Sequence, residues 1–274
     1  MKRNVLPFVI AGAAVGFAGA TAAVVAKQHD LHVCKGTKGP VYVYNIPDAE
    51  GNSVRVMSEG GVYQSATYLD PDRRYEAPFE YLRSFDRMFE ADLDIKQVLM
   101  IGGGGFAYPK HMLSHHPDTA MVVAEIDPKV IQIALKHFYL YDALRRFSAQ
   151  RLGITNEDGF NYLRRTTRTF DAIINDAYDG AAADNRLGGA SGAMLVKSKL
   201  NPGGLFLSNV VAELESDSMA EVVAGLSIAF NNVYVIPCID EHFASEDNYL
   251  VIATDGTYDF SDVAMQRMRL TSAQ

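Results

Sequence analysis

The sequence has two cysteines, no tryptophan and no internal repeat. Two thiols, Cys34 and Cys238, exclude a disulfide framework and a cysteine-based metal cluster. The missing repeat sets aside solenoids and propellers. Positive charge is also short, with 25 Lys and Arg against 33 Asp and Glu and a formal net charge of −8. That balance argues against a grip on nucleic-acid phosphates and suits a cationic substrate. What is present is globular: 48% hydrophobic and 21% charged residues over 274 positions, enough for one large domain with a small appendage.

Residues 4–26 carry no charge and are long enough to span a bilayer. They are rich in Ala and Gly, so their insertion energy is modest. Lys2 and Arg3 precede them, as in a signal peptide or signal anchor. Residues 1–27 are therefore expected to be an anchor or signal segment. The protein is expected at a membrane through this single helix, with the rest of the chain on the cytosolic side and export left open. Residues 28–40 read as a polar linker. Residues 41–72 read as a small antiparallel β domain, with strands at 41–44, 54–57 and 62–69 separated by turn formers. Such a sheet is too small to stand alone and must pack on the larger part of the chain. Residues 73–274 make up that larger part, entered through a helix over 77–89.

Residues 97–127 organise the chain. Val98, Leu99, Met100 and Ile101 make an apolar run of the kind a buried parallel strand needs. Gly102, Gly103, Gly104 and Gly105 come next, where a strand turns sharply into a helix and the backbone can approach a ligand. A second apolar run, 121–124, ends in Glu125, Ile126 and Asp127. An acid about 20 residues past a Gly-rich turn is where a nucleotide-binding βαβ unit places its ribose contact.

The pattern then alternates. Pro128 opens a helix, and strands are read at 151–154, 171–174, 205–210, 233–236 and 249–254, with a helix through 160–163 capped by Asn156-Glu157-Asp158-Gly159 and helices at 193–200 and 216–230. This predicts an α/β fold: a mostly parallel, Rossmann-like sheet covered on both faces, with ligands beyond the carboxyl ends of its strands. Three strand ends carry acids: Glu125 and Asp127, Asp158, then Asp176 and Asp179. No Ser-His-Asp order and no metal-ligand cluster competes with them. His111, His115 and His116 have a chelating helical spacing but sit far from the strand ends, and are read as solvated.

These residues carry a resemblance. The order Tyr63-Gln64-Ser65, VLMIGGGGFA, AEID, EDGF and DAIINDAYDG resembles the spermidine synthase family of aminopropyltransferases, in its bacterial spermidine-synthase-like branch. The resemblance spans about residues 40–215. It implies a small N-terminal β domain on a methyltransferase-type Rossmann-like fold. It also implies that decarboxylated S-adenosylmethionine is the co-substrate, with no metal, and that its aminopropyl group passes to a di- or polyamine. By position it implies nucleotide contacts from Gln64, Gly102, Gly103, Gly104, Glu125, Ile126, Asp158 and Gly159. Glu125 would take the ribose hydroxyls and Asp158 the adenine amino group. Tyr63, Glu80 and Tyr178 would face the amine. Asp176 would be the catalytic acid of an Asp-x-x-Asp pair with Asp179. A homodimer is compatible with it.

The chain departs from the family's pattern in three places. Pro78-Phe79-Glu80 stands for Tyr-His-Glu, Asp176-Ala177-Tyr178-Asp179 for Asp-Ser-Ser-Asp, and Phe106 replaces a loop glycine. The first two touch the acceptor more than the nucleotide. They leave room for two other readings: an S-adenosylmethionine-dependent methyltransferase acting on a small nucleophile, and a non-catalytic nucleotide-binding module.

Overall fold

Val98, Leu99, Met100 and Ile101 are all buried, as a strand covered on both faces must be. The computed structural model describes residues 26–179, 182–183, 186–240 and 245–260. Four strands come first: β1 (His32–Lys35), β2 (Pro40–Pro47), β3 (Ser53–Glu59) and β4 (Val62–Tyr68), paired antiparallel in sequence order. Gly60 and Gly61, at φ 60° and 84°, make the β3–β4 turn, which needs positive φ at both central positions. The stretch expected as a linker, 28–40, thus contains β1. Its side chains alternate between half-buried and exposed, the pattern of an edge strand hidden under polar composition.

A single helical turn, α1 (Glu80–Arg83), passes into a 3-10 segment, Ser84–Glu90, where one longer helix was expected. The Ser84 hydroxyl donates to the Glu80 carbonyl at 3.0 Å, a side-chain bond of the kind that bends helices. Next come β5 (Gln97–Ile101), α2 (Ala107–His115), β6 (Ala120–Glu125), α3 (Pro128–His137), α4 (Leu140–Arg146), β7 (Leu152–Asn156), α5 (Gly159–Arg165) and β8 (Phe170–Asn175). Two short strands, β9 (Tyr178–Asp179) and β10 (Ala182–Ala183), pair with each other. The chain then forms α6 (Ala190–Lys197), β11 (Leu200–Val211), α7 (Asp217–Ala229), β12 (Asn232–Asp240) and β13 (Ser245–Thr254).

The large sheet has the order β12-β13-β11-β8-β5-β6-β7. From β7 to β11 every neighbouring pair is parallel, and β13 runs against both of its neighbours. The chain leaves β5 toward β6 and β7, then returns to β8 on the other side. That reversal opens a crevice at the carboxyl ends of β5 and β8. Alternation along the strands separates two cores. Val98, Met100, Ile174 and Leu207 pack toward the N-terminal sheet, with Tyr44, Val56, Phe85 and Tyr108. Leu99, Ile101, Ile173 and Phe206 pack toward Leu163, Val196 and Leu226 of α5, α6 and α7.

Two polar knots fasten α2. Lys110, fully buried, donates from Nζ to Phe138 O at 2.5 Å, Thr67 Oγ1 at 3.0 Å and Arg74 O at 3.4 Å. It thereby joins β4, the segment after it, and the α3–α4 junction. Asp86 accepts from Tyr108 Oη at 2.9 Å, lies 2.7 Å from His111 Nε2, and lies 3.6 Å from His116 Nε2. His111, read as solvated, is buried, because the 3-10 segment closes over α2 and supplies this carboxylate. Among the described residues no His, Cys, Asp and Glu group could hold a metal.

The expectation of a membrane location is corrected. No helix among the described residues is long and apolar enough to cross a membrane. Residues 4–26, on which the expected tether rested, lie outside the described residues apart from residue 26.

Candidate active site

Glycine is required where β5 ends. Gly102 has φ 88°, and a Cβ there would stand 2.3 Å from the Asp176 carbonyl oxygen. The two strand ends are tied by Asp176 N donating to Ile101 O at 2.8 Å. Beyond them the loop amides of Gly103 and Gly104 donate to Glu125 Oε2 at 2.8 and 3.1 Å. Oε1 of the same carboxylate accepts Asp127 N at 2.8 Å. Glu125 is buried, and it shapes the glycine loop before any ligand arrives. A carboxylate offers about four acceptor positions, and three are in use. A ribose would find one hydroxyl contact here unless an amide let go, where two were expected.

The neighbouring strand ends complete the rim. Asp127 caps α3 through Lys129 N at 2.7 Å and also accepts Thr37 N at 3.0 Å and Thr37 Oγ1 at 2.7 Å. The β1–β2 turn is thus pinned beside Glu125. Asp158 caps α5 through Asn161 N at 2.9 Å, and its second oxygen takes Arg186 Nη2 at 2.7 Å. Gly159 permits contact with Ile101, whose Cγ2 would lie 2.2 Å from an added Cβ. Ile126 is 64% exposed, an apolar side chain facing outward at the mouth. Gln64 and Tyr63 are half-buried on β4, with the Gln64 carbonyl 3.2 Å from where a Gly104 Cβ would stand.

Asp176, half-buried, follows β8 at the crevice. Its Oδ1 accepts Asn209 Nδ2 at 2.9 Å, and Asn209 Oδ1 in turn accepts Asn248 Nδ2 at 2.9 Å. Burial pushes the Asp176 carboxyl up to about 7, against the pull of the Asn209 donor and with the Glu125 charge adding to the rise. A carboxyl so poised exchanges a proton near neutrality.

The expected site residues do not all converge. Gly102, Gly103, Gly104, Glu125 and Asp176 form one contiguous set, with β4 leaning on the loop. Asp158 stands at the next strand end, held by Arg186. Glu80 is on the β12 side: its amide donates to Asp240 Oδ2 at 2.9 Å, and its carboxylate takes two bonds from Arg83, at 3.1 and 2.6 Å. In the sheet order β12 lies three strands from β8. The side chains of Tyr178 and Asp179 lie outside the described residues. The bonds of Asn209 to Asp176, Asn248 to Asn209, Thr37 to Asp127 and Arg186 to Asp158 were not legible in the sequence. Asn209 carried a signal, as a polar residue on the apolar face of its strand.

Residues 86–254, more than half of the chain, match the family model for the spermine/spermidine synthase domain. A polyamine aminopropyltransferase of Klebsiella pneumoniae subsp. pneumoniae is 31% identical over 139 residues, 50% of this chain and 48% of that protein. The chain spans about half the length of the curated relatives it matches. Among solved structures, a probable spermidine synthase from Corynebacterium glutamicum superposes with a TM-score of 0.68 at 20% identity, covering 83% of this chain and 81% of that one. Human methyltransferase-like protein 13, in complex with SAH, gives 0.50 at 24% identity, over 64% and 77%. These likenesses share the Rossmann-like, methyltransferase-type fold. By its matched domain, with the crevice and glycine loop that the matched residues build, the chain belongs to the spermine/spermidine synthase family.

Proposed function

We propose that this chain is an aminopropyltransferase that moves the aminopropyl group of decarboxylated S-adenosylmethionine to a small di- or polyamine. The observation that carries the reading is Asp176. It sits at the switch point of the sheet with Oδ1 held by Asn209, while among the described residues Oδ2 takes no hydrogen bond. A primary ammonium has a pKa near 10, so it must lose a proton before it can attack. Asp176 orients the amine and takes that proton. The amine lone pair then forms the N–C bond as the C–S bond breaks, and methylthioadenosine leaves with the electron pair. The sulfonium supplies an already activated bond, so positioning provides most of the remaining rate. Glu125 and the glycine loop hold the nucleoside, Gln64 and Ile126 border it, and Asp158 reaches the adenine amino group once Arg186 yields.

Methyl transfer on the same scaffold is favoured by one observation: Glu80 is paired with Arg83 instead of facing an amine. Against it, the methionine carboxylate needs a cationic or N–H partner. Lys110 is fully engaged elsewhere. Calorimetry with S-adenosylmethionine, its decarboxylated form and methylthioadenosine separates the two. Tighter binding of the decarboxylated form, with methylthioadenosine released when a diamine is added, supports aminopropyl transfer. Tighter binding of S-adenosylmethionine with no such release overturns it.

A further inference from the structure

Strand β11 places Leu205, Leu207 and Asn209 on one face. The two leucines are fully buried in the core toward the N-terminal sheet, and Asn209 is 3% exposed. Leu250 of β13 lies opposite Asn209. Asn248, two residues earlier and 8% exposed, is its diagonal neighbour on the same face. Two side-chain amides thus stand in line behind Asp176, in a position where a leucine would serve packing as well.

We propose that Asn209 and Asn248 form a polarised relay that fixes the orientation of the Asp176 carboxylate and leaves Oδ2 as the atom that receives the acceptor's proton. A primary amide has one donating and one accepting end. Asn248 Nδ2 donates to Asn209 Oδ1, which turns the accepting end of Asn209 toward β13 and its donating end toward Asp176. A flipped Asn209 would set acceptor against acceptor at one end and donor against donor at the other, both at 2.9 Å. Asn209 and Asn248 are therefore positioning residues. They are also neutral. An Arg or Lys in place of Asn209 would hold the carboxyl too low to take a proton, whereas an amide steadies it and leaves it basic. The charged group facing Asp176 among the described residues is Glu125 of β6, and it acts in the opposite direction.

The role of Oδ2 as proton acceptor rests on the aminopropyltransferase reading; the relay does not. The test therefore uses two readouts on the full chain. The first is the titration of the Asp176 carboxyl carbon by 13C NMR, assigned with Asp176→Asn, which needs no turnover. The second is the pH profile of kcat/KM with decarboxylated S-adenosylmethionine and a diamine. The variants are Asn209→Leu and Asn248→Leu, with Asn248→Ala as the milder change should either fail to fold. Loss of the Asn209 donor should raise the Asp176 midpoint by about one pH unit, the scale of one hydrogen bond to a charged group. Loss of Asn248, which does not touch Asp176, should raise it in the same direction by less. The acidic limb of kcat/KM should move with the midpoint, and the rate should recover to within a few-fold at about pH 9, above the shifted midpoint. Ser208→Ala, on the opposite face, should leave the midpoint in place. Shifted midpoints without turnover in the wild type keep the relay and remove the aminopropyltransferase reading. Unshifted midpoints in folded variants overturn the relay, whatever the turnover.

Discussion

Lys110 and Asp176 are both ionisable groups set into the interior, and burial moves the pKa of each to about 7. Their surroundings differ. All three Lys110 donors have acceptors, on β4, on the segment after it and at the α3–α4 junction. Asp176 has one oxygen held and one without a hydrogen bond among the described residues, at the carboxyl edge of the sheet. A shifted pKa marks a candidate site; hydrogen-bonding capacity left unused tells the site from the knot. Lys110 belongs to the seam between the two sheets, and Asp176 to the crevice.

The sharpest way to break that comparison is to remove each group. Lys110→Met should destabilise the fold by roughly 1–3 kcal/mol for each buried acceptor left without a donor, read as a fall in the denaturant midpoint. Because the folded-state pKa of Lys110 is lowered, the unfolded chain binds more protons between about pH 7 and its ordinary 10.5. Wild-type stability should therefore rise with pH across that window and lose the gain as pH falls through 7. The rise should flatten in the variant. Equal stability of variant and wild type would end the structural assignment of Lys110.

Asp176→Asn should do the reverse. Turnover should fall about a hundredfold or more, the usual scale of a general base, with methylthioadenosine affinity within a few-fold of wild type. The raised pKa of Asp176 means that its folded form holds the proton longer, so its contribution to stability is lost as pH rises from about 4 through 7. The variant should melt higher than wild type at about pH 8 and not at about pH 4, on either side of that window. Undiminished turnover would move the base elsewhere in the crevice.

Glu125→Gln should weaken methylthioadenosine binding by roughly 1.5–3 kcal/mol, since a buried charged acceptor of two loop amides becomes a poorer neutral one. Calorimetry showing unchanged affinity would remove the nucleoside from this loop. The smallest effect is expected at the β1–β2 turn. Thr37→Val deletes the hydroxyl bond to Asp127 and keeps the backbone one, and should cost roughly 0.5–1.5 kcal/mol of stability. Loss of nucleoside binding greater than tenfold would give Thr37 a larger part than that of a clamp.

The crevice was legible in the sequence because its makers are local. An apolar run, four glycines, and an acid about 20 residues on point together to a strand that turns into a helix under a ligand. The order of strands and helices came from alternation, and Pro128, Asp158 and Ser216 marked helix starts that the structure keeps. What was hidden depends on pairing across the chain. The Asn209–Asn248 bond spans 39 residues and two antiparallel strands. Strand β1 is polar in composition, and its place at the sheet edge comes from pairing with β2. His111 is buried by a segment 25 residues earlier in the chain. Arg186 reaches Asp158 across 28 residues. Local pattern fixes elements and turns; partners at such separations are set by the tertiary fold.

The central claim is that Asp176 is a base poised near neutrality for aminopropyl transfer. The pH dependence of kcat/KM, measured by methylthioadenosine release from decarboxylated S-adenosylmethionine with a diamine, tests it most directly. The account predicts an acidic limb with a midpoint at about 7 that is absent from the residual activity of Asp176→Asn. A limb at about 4, the ordinary carboxylate range, or one that persists unchanged in the variant, would contradict it.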